Sequence, residues 1–145
     1  MIIREATAED LRGVLSLYAQ PELDGPSVLS LEEAESIFDC MHAYPHYRLY
    51  VAERQGRVVG TFTLLIKKNL SHLGAASAVV ESVAVDPAEQ GQGVGRAMMA
   101  FAREVCRKSG CYKMALSSNL KREGAHAFYD GLGFERHGYS FQVSP

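Results

Sequence analysis

The most constraining feature of the sequence is a glycine-rich turn between a strand pattern and an apolar helix pattern. The stretch "SAVVESVAVDP" predicts a strand that ends at Asp86-Pro87. The following "AEQGQGVGRAMMAFA" places three glycines at alternate positions before apolar residues whose spacing fits one buried helical stripe. Another strand pattern, "YKMALSS", comes after this helix. This order predicts a strand-helix-strand unit whose two strands lie parallel.

The three glycines predict a phosphate-binding turn. Backbone N–H groups in the first turn of a helix have no intrahelical partner and favour a bound anion. Gly91, Gly93 and Gly95 would let a phosphate come close because glycine has no Cβ. A tight turn that needs positive φ angles is the alternative, but it would not call for three glycines. The spacing also differs from the mononucleotide and dinucleotide fingerprints, which need a lysine or a distant acidic partner.

The rest of the chain predicts a mixed α/β fold. A first strand covers "IIREAT", and the pairs Thr7 with Asp10 and Ser30 with Glu33 predict two helix starts. "YRLYVAERQGRVVGTFTLLI" predicts a hairpin, "REGAHAFYDGL" a last helix and "YSFQV" a final strand. We expect a single domain over residues 1–145, with a mixed, mostly antiparallel sheet of about six or seven strands and about four flanking helices.

Composition narrows the function classes. The chain has 47% apolar and 22% charged residues with a net charge of -2, so nothing draws it broadly to nucleic acid or an anionic membrane. No segment approaches the run of about 18 apolar residues that a membrane span requires, and no secretory leader pattern opens the chain. Three cysteines without a CxxC pair predict neither a disulfide framework nor a zinc site. We expect a cytoplasmic protein without a bound metal.

At the glycine turn the sequence resembles a known family. Residues Gln90 to Gly95 resemble the Q/R-x-x-G-x-G/A signature of the GNAT superfamily of N-acetyltransferases. In the family's order, "VESVAVDP" resembles its fourth strand, "LSSN" the end of its fifth and "AHAFYDGLGF" its C-terminal helix. Some segments are similar to glucosamine-6-phosphate N-acetyltransferases ("GCYKMAL") and others to aminoalkylphosphonate N-acetyltransferases ("LSSNLKREGAHAFY"). The specific part of the resemblance covers Val79 to Phe134.

The resemblance implies that acetyl-CoA is the co-substrate and that the glycine turn holds its diphosphate. It also implies that the N–H of Val83 binds the developing oxyanion and that the pantetheine arm pairs with the strand there. The implied coenzyme-binding residues are Val83, Ala84, Val85, Gln90, Gly91, Gln92, Gly93, Val94, Gly95, Arg96, Asn119, Phe128 and Tyr129. Two alternatives remain open: "VAV" could be only a buried strand, and Asn119 could cap the turn before the last helix.

Two residues are candidates for proton transfer. An alkylammonium acceptor is almost wholly protonated at neutral pH, so its proton must be accepted before or during attack. Glu81 lies on the strand that enters the turn, and strand alternation predicts that it shares a face with Val83 and Val85. In similar enzymes a carboxylate here is the base, directly or through water, and Tyr129 aligns with the tyrosine that protonates the coenzyme thiolate. A solvated glutamate and a core tyrosine are the alternatives.

The resemblances disagree about the acceptor and agree only on a small primary amine. Lys67, Lys68, Lys121 and Arg122, or His72, could bind an anionic group on it, although such charges are usually solvated. We expect direct attack on the thioester, with Cys111 as the covalent alternative at the far end of its strand. A non-catalytic acyl-CoA-binding module and a protein or peptide N-acetyltransferase are the alternative functions. The closing "GYSFQV" and the habits of the family predict a homodimer.

Overall fold

The computed structural model describes residues 1–145, which divide into two compact units, Met1–Ala115 and Leu116–Pro145. The first unit holds five strands and three α-helices: β1 (Ile2–Glu5), α1 (Leu11–Tyr18), α2 (Leu31–Ala43), β2 (Tyr47–Arg54), β3 (Arg57–Lys67), β4 (Ala76–Val85), α3 (Val94–Lys108) and β5 (Cys111–Ala115). The second unit holds α4 (Glu123–Asp130). The predicted α/β class and the four helices are confirmed.

The five strands form one sheet in the order β1-β2-β3-β4-β5. Neighbours are antiparallel from β1 to β4, and β4 pairs with β5 in parallel. The predicted parallel pair on either side of α3 is therefore confirmed. A parallel neighbour needs a long crossover connection, and α3 supplies it.

The sheet has five strands rather than the six or seven predicted, because residues 139–143 form no strand. Their apolar members, Tyr139, Phe141 and Val143, are each 90% exposed or more. A strand is held by hydrogen bonds to a neighbouring strand, and no other part of the chain pairs with this segment. Alternation of apolar residues therefore predicted a strand that lacks a partner in its own chain.

Two capping boxes fix the helix starts where the sequence predicts them. The Glu33 N–H donates to Ser30 Oγ at 3.2 Å, and the Ser30 N–H donates to the Glu33 carboxylate at 2.9 Å. The Asp10 carboxylate accepts the Thr7 N–H at 2.8 Å and opens a short 3-10 turn that leads into α1. Each box satisfies N–H groups that a helix start would otherwise leave unpaired.

The sheet carries helices on both faces. On one face, Leu49 and Val51 of β2 pack in a buried cluster with Val14 of α1 and Phe38 of α2, and we call it the α1/α2 face. On the other, a Cβ added at Gly60 of β3 would lie 2.6 Å from the sulfur of Met98 in α3. We call this the α3 face. A glycine in β3 thus lets α3 lie close against the sheet.

Candidate active site

The carboxyl end of β4 has a free edge. The β5 ladder begins at Ala76 and ends at the pair of Val79 with Ala115, so β4 continues beyond it with β3 alone as its neighbour. The Asp86 N–H donates to the Val59 carbonyl of β3 at 2.9 Å. Because backbone groups alternate in direction along an antiparallel strand, those of Val83 and Val85 point away from β3. This end of β4 therefore presents backbone donors and acceptors that have no partner in a neighbouring strand.

The glycine turn follows a short 3-10 turn, Pro87–Glu89, and leads into α3. Gly91 and Gly93 have φ angles of 76° and 81°, and Gly93 is the residue before the first helical residue, Val94. A Cβ at either glycine would meet no atom within 4 Å, so backbone conformation rather than packing requires glycine there. The N–H groups of the first turn of α3 have no carbonyl partner within the helix. They form a positive, open surface suited to an anion.

Two arginines of the β2–β3 hairpin form ion pairs with the residues that precede the glycine turn. Arg54 Nη1 lies 2.5 Å from Glu89 Oε2, and Arg57 lies 3.1 Å from both Asp86 and Glu89. Gln92 is held by Arg54 at 3.1 Å through its side-chain oxygen. Because carboxylates already pair with both guanidinium groups, the positive potential of the turn comes from its backbone N–H groups and the exposed Arg96 rather than from Arg54 and Arg57.

A bulge in β4 corrects the predicted face of Glu81. Ser82 has a φ angle of 51°, and the register of β4 against β3 shifts there. Glu81 therefore pairs with Thr63, which lies on the α1/α2 face, whereas Val85 pairs with Gly60 on the α3 face. The prediction that Glu81 shares a face with Val85 was wrong, because one extra residue reverses the alternation.

The bulge leaves Glu81 open to solvent. Glu81 and its neighbour Ser82 are both exposed, unlike the buried Val80 before them. The Glu81 backbone carbonyl accepts the Thr63 hydroxyl at 3.2 Å. Its carboxylate makes no ion pair or hydrogen bond within the chain, so it is free to accept a proton from a ligand on the α1/α2 face.

Tyr18 is a residue of this site that the sequence placed only on the apolar stripe of α1. Its hydroxyl lies near the side chains of Thr61 and Ser82, at the bulge. Burial raises the pKa of Tyr18 to about 12, although these two contacts act in the opposite direction. A buried tyrosine usually bonds a polar partner, which is the signal that could have pointed to this contact. Tyr18 therefore supports the residue next to Glu81.

Gln20 connects the segment after α1 to the free edge. Its side-chain amide donates to the Val85 carbonyl at 3.1 Å and to the Leu17 carbonyl at 2.8 Å. The Gln90 amide donates weakly to the same Val85 carbonyl at 3.4 Å. Two glutamines thus satisfy a carbonyl that the sheet leaves unpaired. No sequence pattern predicted the role of Gln20.

The remaining predicted residues lie in the second unit. Tyr129 is half-buried on α4, with its ring 5.1 Å from that of Phe128 and 5.4 Å from that of Phe134. Burial raises the pKa of Tyr129, and the charge of Arg122 acts in the opposite direction. Tyr129 therefore holds its proton at neutral pH. Its aromatic contacts also fit the core alternative.

Asn119 occupies the turn before α4. Its side-chain oxygen accepts the Lys121 N–H at 2.9 Å, and its carbonyl accepts the Arg122 N–H at 3.0 Å. Asn119 therefore makes the local turn bonds that the capping alternative requires, although the residue that caps α4 is Arg122. The side-chain NH2 group of Asn119 stays available for another partner.

The cysteines give little support to a covalent mechanism. Burial raises the pKa of Cys111, and a hydrogen bond from Cys106 lowers it by less. Burial also raises the pKa of Cys106 to about 12. Since the thiolate is the nucleophilic form, both residues stay unreactive thiols at neutral pH.

Comparisons with known proteins agree with this geometry. A sequence model of the acetyltransferase (GNAT) family matches residues 11–134. The chain is 32% identical over 142 residues to an aminoalkylphosphonate N-acetyltransferase of Salmonella typhimurium, across 96% of this chain and 88% of that protein. It is 36% identical over 90 residues to a glucosamine 6-phosphate N-acetyltransferase of Trypanosoma brucei brucei, across 62% of this chain and 59% of that relative. The crystal structure of a Trypanosoma brucei acetyltransferase superposes with a TM-score of 0.84 at 30% identity, covering 99% of both chains.

The free strand edge, the glycine turn and α3 together are those of an acyltransferase with a GNAT fold. The chain belongs to the acetyltransferase (GNAT) family, as its sequence resemblance predicted. Acetyltransferases of this family use acetyl-CoA as their co-substrate. None of the helices is long and apolar enough to span a membrane.

Proposed function

We propose that this protein transfers the acetyl group of acetyl-CoA directly to the primary amine of a small molecule. The observation that carries the proposal is the free edge of β4, which is followed, after the short 3-10 turn Pro87–Glu89, by the N–H groups at the start of α3 that have no partner within the helix. The named relatives act on an amino sugar phosphate and on aminoalkylphosphonates, which are small primary amines. The two substrates form a ternary complex, and no acyl-enzyme is needed.

The chain provides the coenzyme with two kinds of backbone contact. Residues Gln90 to Arg96 bind the diphosphate through N–H groups at the start of α3. Residues Val83 to Val85 pair with the amide groups of the pantetheine arm as a neighbouring strand would. The half-buried Phe128 and Tyr129 and the free amide of Asn119 complete the set of proposed coenzyme contacts. The family match over residues 11–134 spans both compact units, which supports one functional domain.

Glu81 is the proposed general base. Its carboxylate has no partner in the chain and lies on the α1/α2 face, opposite the face against which α3 packs. The amine loses a proton to Glu81, directly or through water, as its nitrogen bonds to the thioester carbon. The Val83 N–H donates to the carbonyl oxygen as that oxygen gains negative charge.

Tyr129 is the proposed general acid. As the carbon–sulfur bond breaks, the departing thiolate takes the phenolic proton of Tyr129. The raised pKa of Tyr129 keeps that proton in place at neutral pH, so it is present when the thiolate forms. Tyr129→Phe should lower kcat about a hundredfold while leaving the Kd for acetyl-CoA near the wild-type value. Wild-type kcat in this variant across the pH range would contradict the role.

A screen of amines tests the function itself. Release of free thiol from acetyl-CoA is measured with amino sugars, their phosphates, aminoalkylphosphonates, polyamines and aminoglycosides. Amine-dependent release, with the acetylated amine identified by mass spectrometry, would support the proposal. Tight acetyl-CoA binding without release would instead mark a binding module, and acetylation of peptides alone would mark a peptide acetyltransferase.

We further propose that the protein works as a homodimer in the cytoplasm. Residues 139–143 keep a strand-like alternation with three exposed apolar side chains and no partner, and a second copy could provide one. Sedimentation analysis should give twice the mass of one chain, and Phe141→Asp should shift it toward a single chain. A monomeric wild-type protein would rule out the homodimer.

A further inference from the structure

A polar pocket, separate from the candidate active site, lies at the amino end of β4. Its volume is about 280 Å3, and its lining includes Lys67, Lys68 and Lys113 together with two serines, an asparagine and a tyrosine. No carboxylate lines it. A small pocket that is lined by three ammonium groups and neutral hydrogen-bonding groups is complementary to an anion.

The strand register places two of these lysines on either side of a serine. Ser77 of β4 is the Cα partner of Lys67 on β3 and of Lys113 on β5. Residues paired in this way share a face, and the two lysine Cα atoms lie about 10 Å apart across two strand spacings. Ser77 is only 7% exposed, so it forms the floor of the pocket between them.

The charges of the pocket are not neutralised within the chain. None of the three lysines forms an ion pair with a carboxylate. Lys113 Nζ lies 5.5 Å from the ring centroid of Tyr112, and the His72 imidazole stacks on that ring at 4.2 Å. The aromatic contact holds one ammonium group in place and adds no negative charge. An anion would therefore relieve the repulsion among these groups.

We propose that Lys67, Ser77 and Lys113 bind a tetrahedral dianion, either a phosphate or a phosphonate. Lysine binds phosphate as a point charge, and the serine hydroxyl adds a directed hydrogen bond. Lys68 contributes a third positive charge at the same pocket. A phosphonate or a phosphate ester has three terminal oxygens, and each can accept more than one hydrogen bond. The ligand therefore offers enough acceptors for the three ammonium groups and the serine hydroxyl.

The pocket lies on the same face of the sheet as Glu81. Ser77 and Glu81 are four residues apart on a regular part of β4, so their Cα atoms are about 13 Å apart. An acceptor that reaches both would be elongated, with its amine and its dianionic group at opposite ends. Assigning the dianion to an acceptor rests on the proposed function, whereas the anion site itself does not. A free phosphate ion is the other source of the same chemistry.

Titration with inorganic phosphate tests the site without acetyl-CoA. Amide resonances of 15N-labelled protein are followed at constant ionic strength, with chloride as the balancing anion. We expect saturable shifts at Ser77 and Lys113, resolved from any shifts at Gly91 to Gly95. The double variant Lys67→Gln/Lys113→Gln should weaken this binding about tenfold or more. Its spectrum without phosphate reports whether it stays folded.

Lys108→Gln is the matched control. Lys108 lies on α3 and forms an ion pair with Glu104, 3.5 Å away, outside the pocket. The Lys108→Gln variant should bind phosphate with the wild-type affinity. Shifts that never saturate, that occur only at the glycine turn, or that are unchanged in a folded double variant would overturn the proposal.

The bound dianion could be part of the acceptor or a free phosphate ion. Comparing the rates of acetyl transfer to a phosphorylated amine and to its unphosphorylated counterpart distinguishes these two sources. If the dianion belongs to the acceptor, the double variant should raise the KM of the phosphorylated amine about tenfold relative to its counterpart. If it is a free ion, added phosphate should change wild-type turnover of the unphosphorylated amine and lose that effect in the double variant. Phosphate binding at Ser77 without acetyl transfer to any amine would refute the proposed function and leave this site standing.

Discussion

The two loops at the ends of β4 both use left-handed backbone, but they use different residues for it. The loop that leaves β4 has positive φ angles at Gly91 and Gly93. The loop that enters β4 has them at His72, Leu73 and Gly74, with values of 53°, 56° and 79°. A left-handed conformation costs roughly 1 kcal/mol at a residue with a side chain, and almost nothing at glycine.

The difference follows from what each loop presents. The leaving loop offers main-chain N–H groups, so side chains there would block the ligand. The entering loop presents the side chains of Lys68, Asn69 and Ser71 to the pocket, and hydrogen bonds within the loop stabilise its backbone. Asn69 donates to the Ala75 carbonyl at 2.7 Å, and the Ser71 hydroxyl donates to the Asn69 oxygen at 2.7 Å. Main-chain recognition therefore requires glycine, whereas side-chain recognition does not.

The same substitution at the two ends of β4 should weaken binding at two different sites. Gly93 and Gly74 have nearly equal φ angles, and a Cβ at either meets no atom within 4 Å. Gly93→Asp should abolish acetyl-CoA binding, a loss of about a hundredfold or more, because a carboxylate would repel the diphosphate. Calorimetric titration with acetyl-CoA measures the effect.

Gly74→Asp is the matched control for backbone strain. It should bind acetyl-CoA as the wild type does, since it lies at the other end of β4. It should instead weaken phosphate binding at the lysine pocket. Equal loss of acetyl-CoA affinity in both folded variants would show that the two loops are not separate sites.

Glu81 lies between the two ends, and Glu81→Gln should have the next largest effect. We expect kcat/KM to fall about a hundredfold at neutral pH, since the base is lost. The variant's rate should then rise about tenfold per pH unit until the amine itself loses its proton. Rates from pH 6 to 9.5 measure this. Glu35→Gln, an exposed glutamate on α2, is the control.

A Glu81→Gln variant with the wild-type rate and pH profile would remove the base role. In that case the α1/α2 face near the bulge would bind the acceptor without taking its proton.

Gly60→Ala should reduce acetyl-CoA binding less than Gly93→Asp does. It changes the packing of β3 against α3, the helix that follows the leaving loop. Its Cβ would lie 2.6 Å from the Met98 sulfur and 3.0 Å from a methyl carbon of Val94, the first residue of α3. We expect the free energy of unfolding to fall by about 1 to 3 kcal/mol, and acetyl-CoA affinity to fall several-fold as α3 shifts. Urea unfolding and calorimetry measure the two effects.

Gly124→Ala is the control with the opposite sign. Gly124 lies in α4 with no atom near its added Cβ, so alanine should leave stability unchanged or raise it by up to about 1 kcal/mol. If Gly60→Ala were as mild, α3 would not be set by contact with β3.

Signals within a few residues of sequence allowed the helices and the hairpin to be predicted. The features that were not predicted depend on the register between strands. The boxes Thr7 with Asp10 and Ser30 with Glu33 act within one turn of chain, so the sequence alone locates the helix starts. The hairpin turn at Gln55 and Gly56, with φ angles of 53° and 73°, is equally local.

The bulge at Ser82 and the row through Ser77 depend on pairing between distant strands. Serine has no strong preference for a positive φ angle, so nothing nearby in sequence predicts that Glu81 changes face. The row of Lys67, Ser77 and Lys113 requires the register of three strands at once. Lys67 could thus be predicted as a candidate for binding an anionic group, but its place beside Ser77 and Lys113 could not.

Tyr18→Phe should have the smallest effect on turnover among these variants. It tests whether the contacts of the bulge at Ser82 matter for the reaction. It removes a hydroxyl near Ser82 and Thr61 and should cost about 1 kcal/mol of unfolding free energy at neutral pH. Turnover should fall only a few-fold, since Ser82 loses a contact while the Glu81 carboxylate remains. A loss as large as that of Glu81→Gln would instead mean that Tyr18 itself contacts the substrate.

The pH dependence of stability gives Tyr18→Phe a second readout. The pKa of Tyr18 is about 12 in the folded protein and about 10 when unfolded, so only the unfolded chain releases this proton between those values. Stability from the buried phenol is therefore complete well below pH 10 and is lost above it, by about 1 kcal/mol at pH 11. Urea unfolding at pH 9 and pH 11 should show a smaller fall for Tyr18→Phe than for wild type. Tyr139→Phe, at a residue that is 93% exposed, should show the wild-type fall. If Tyr18→Phe matched Tyr139→Phe, the phenol would not be buried at the bulge.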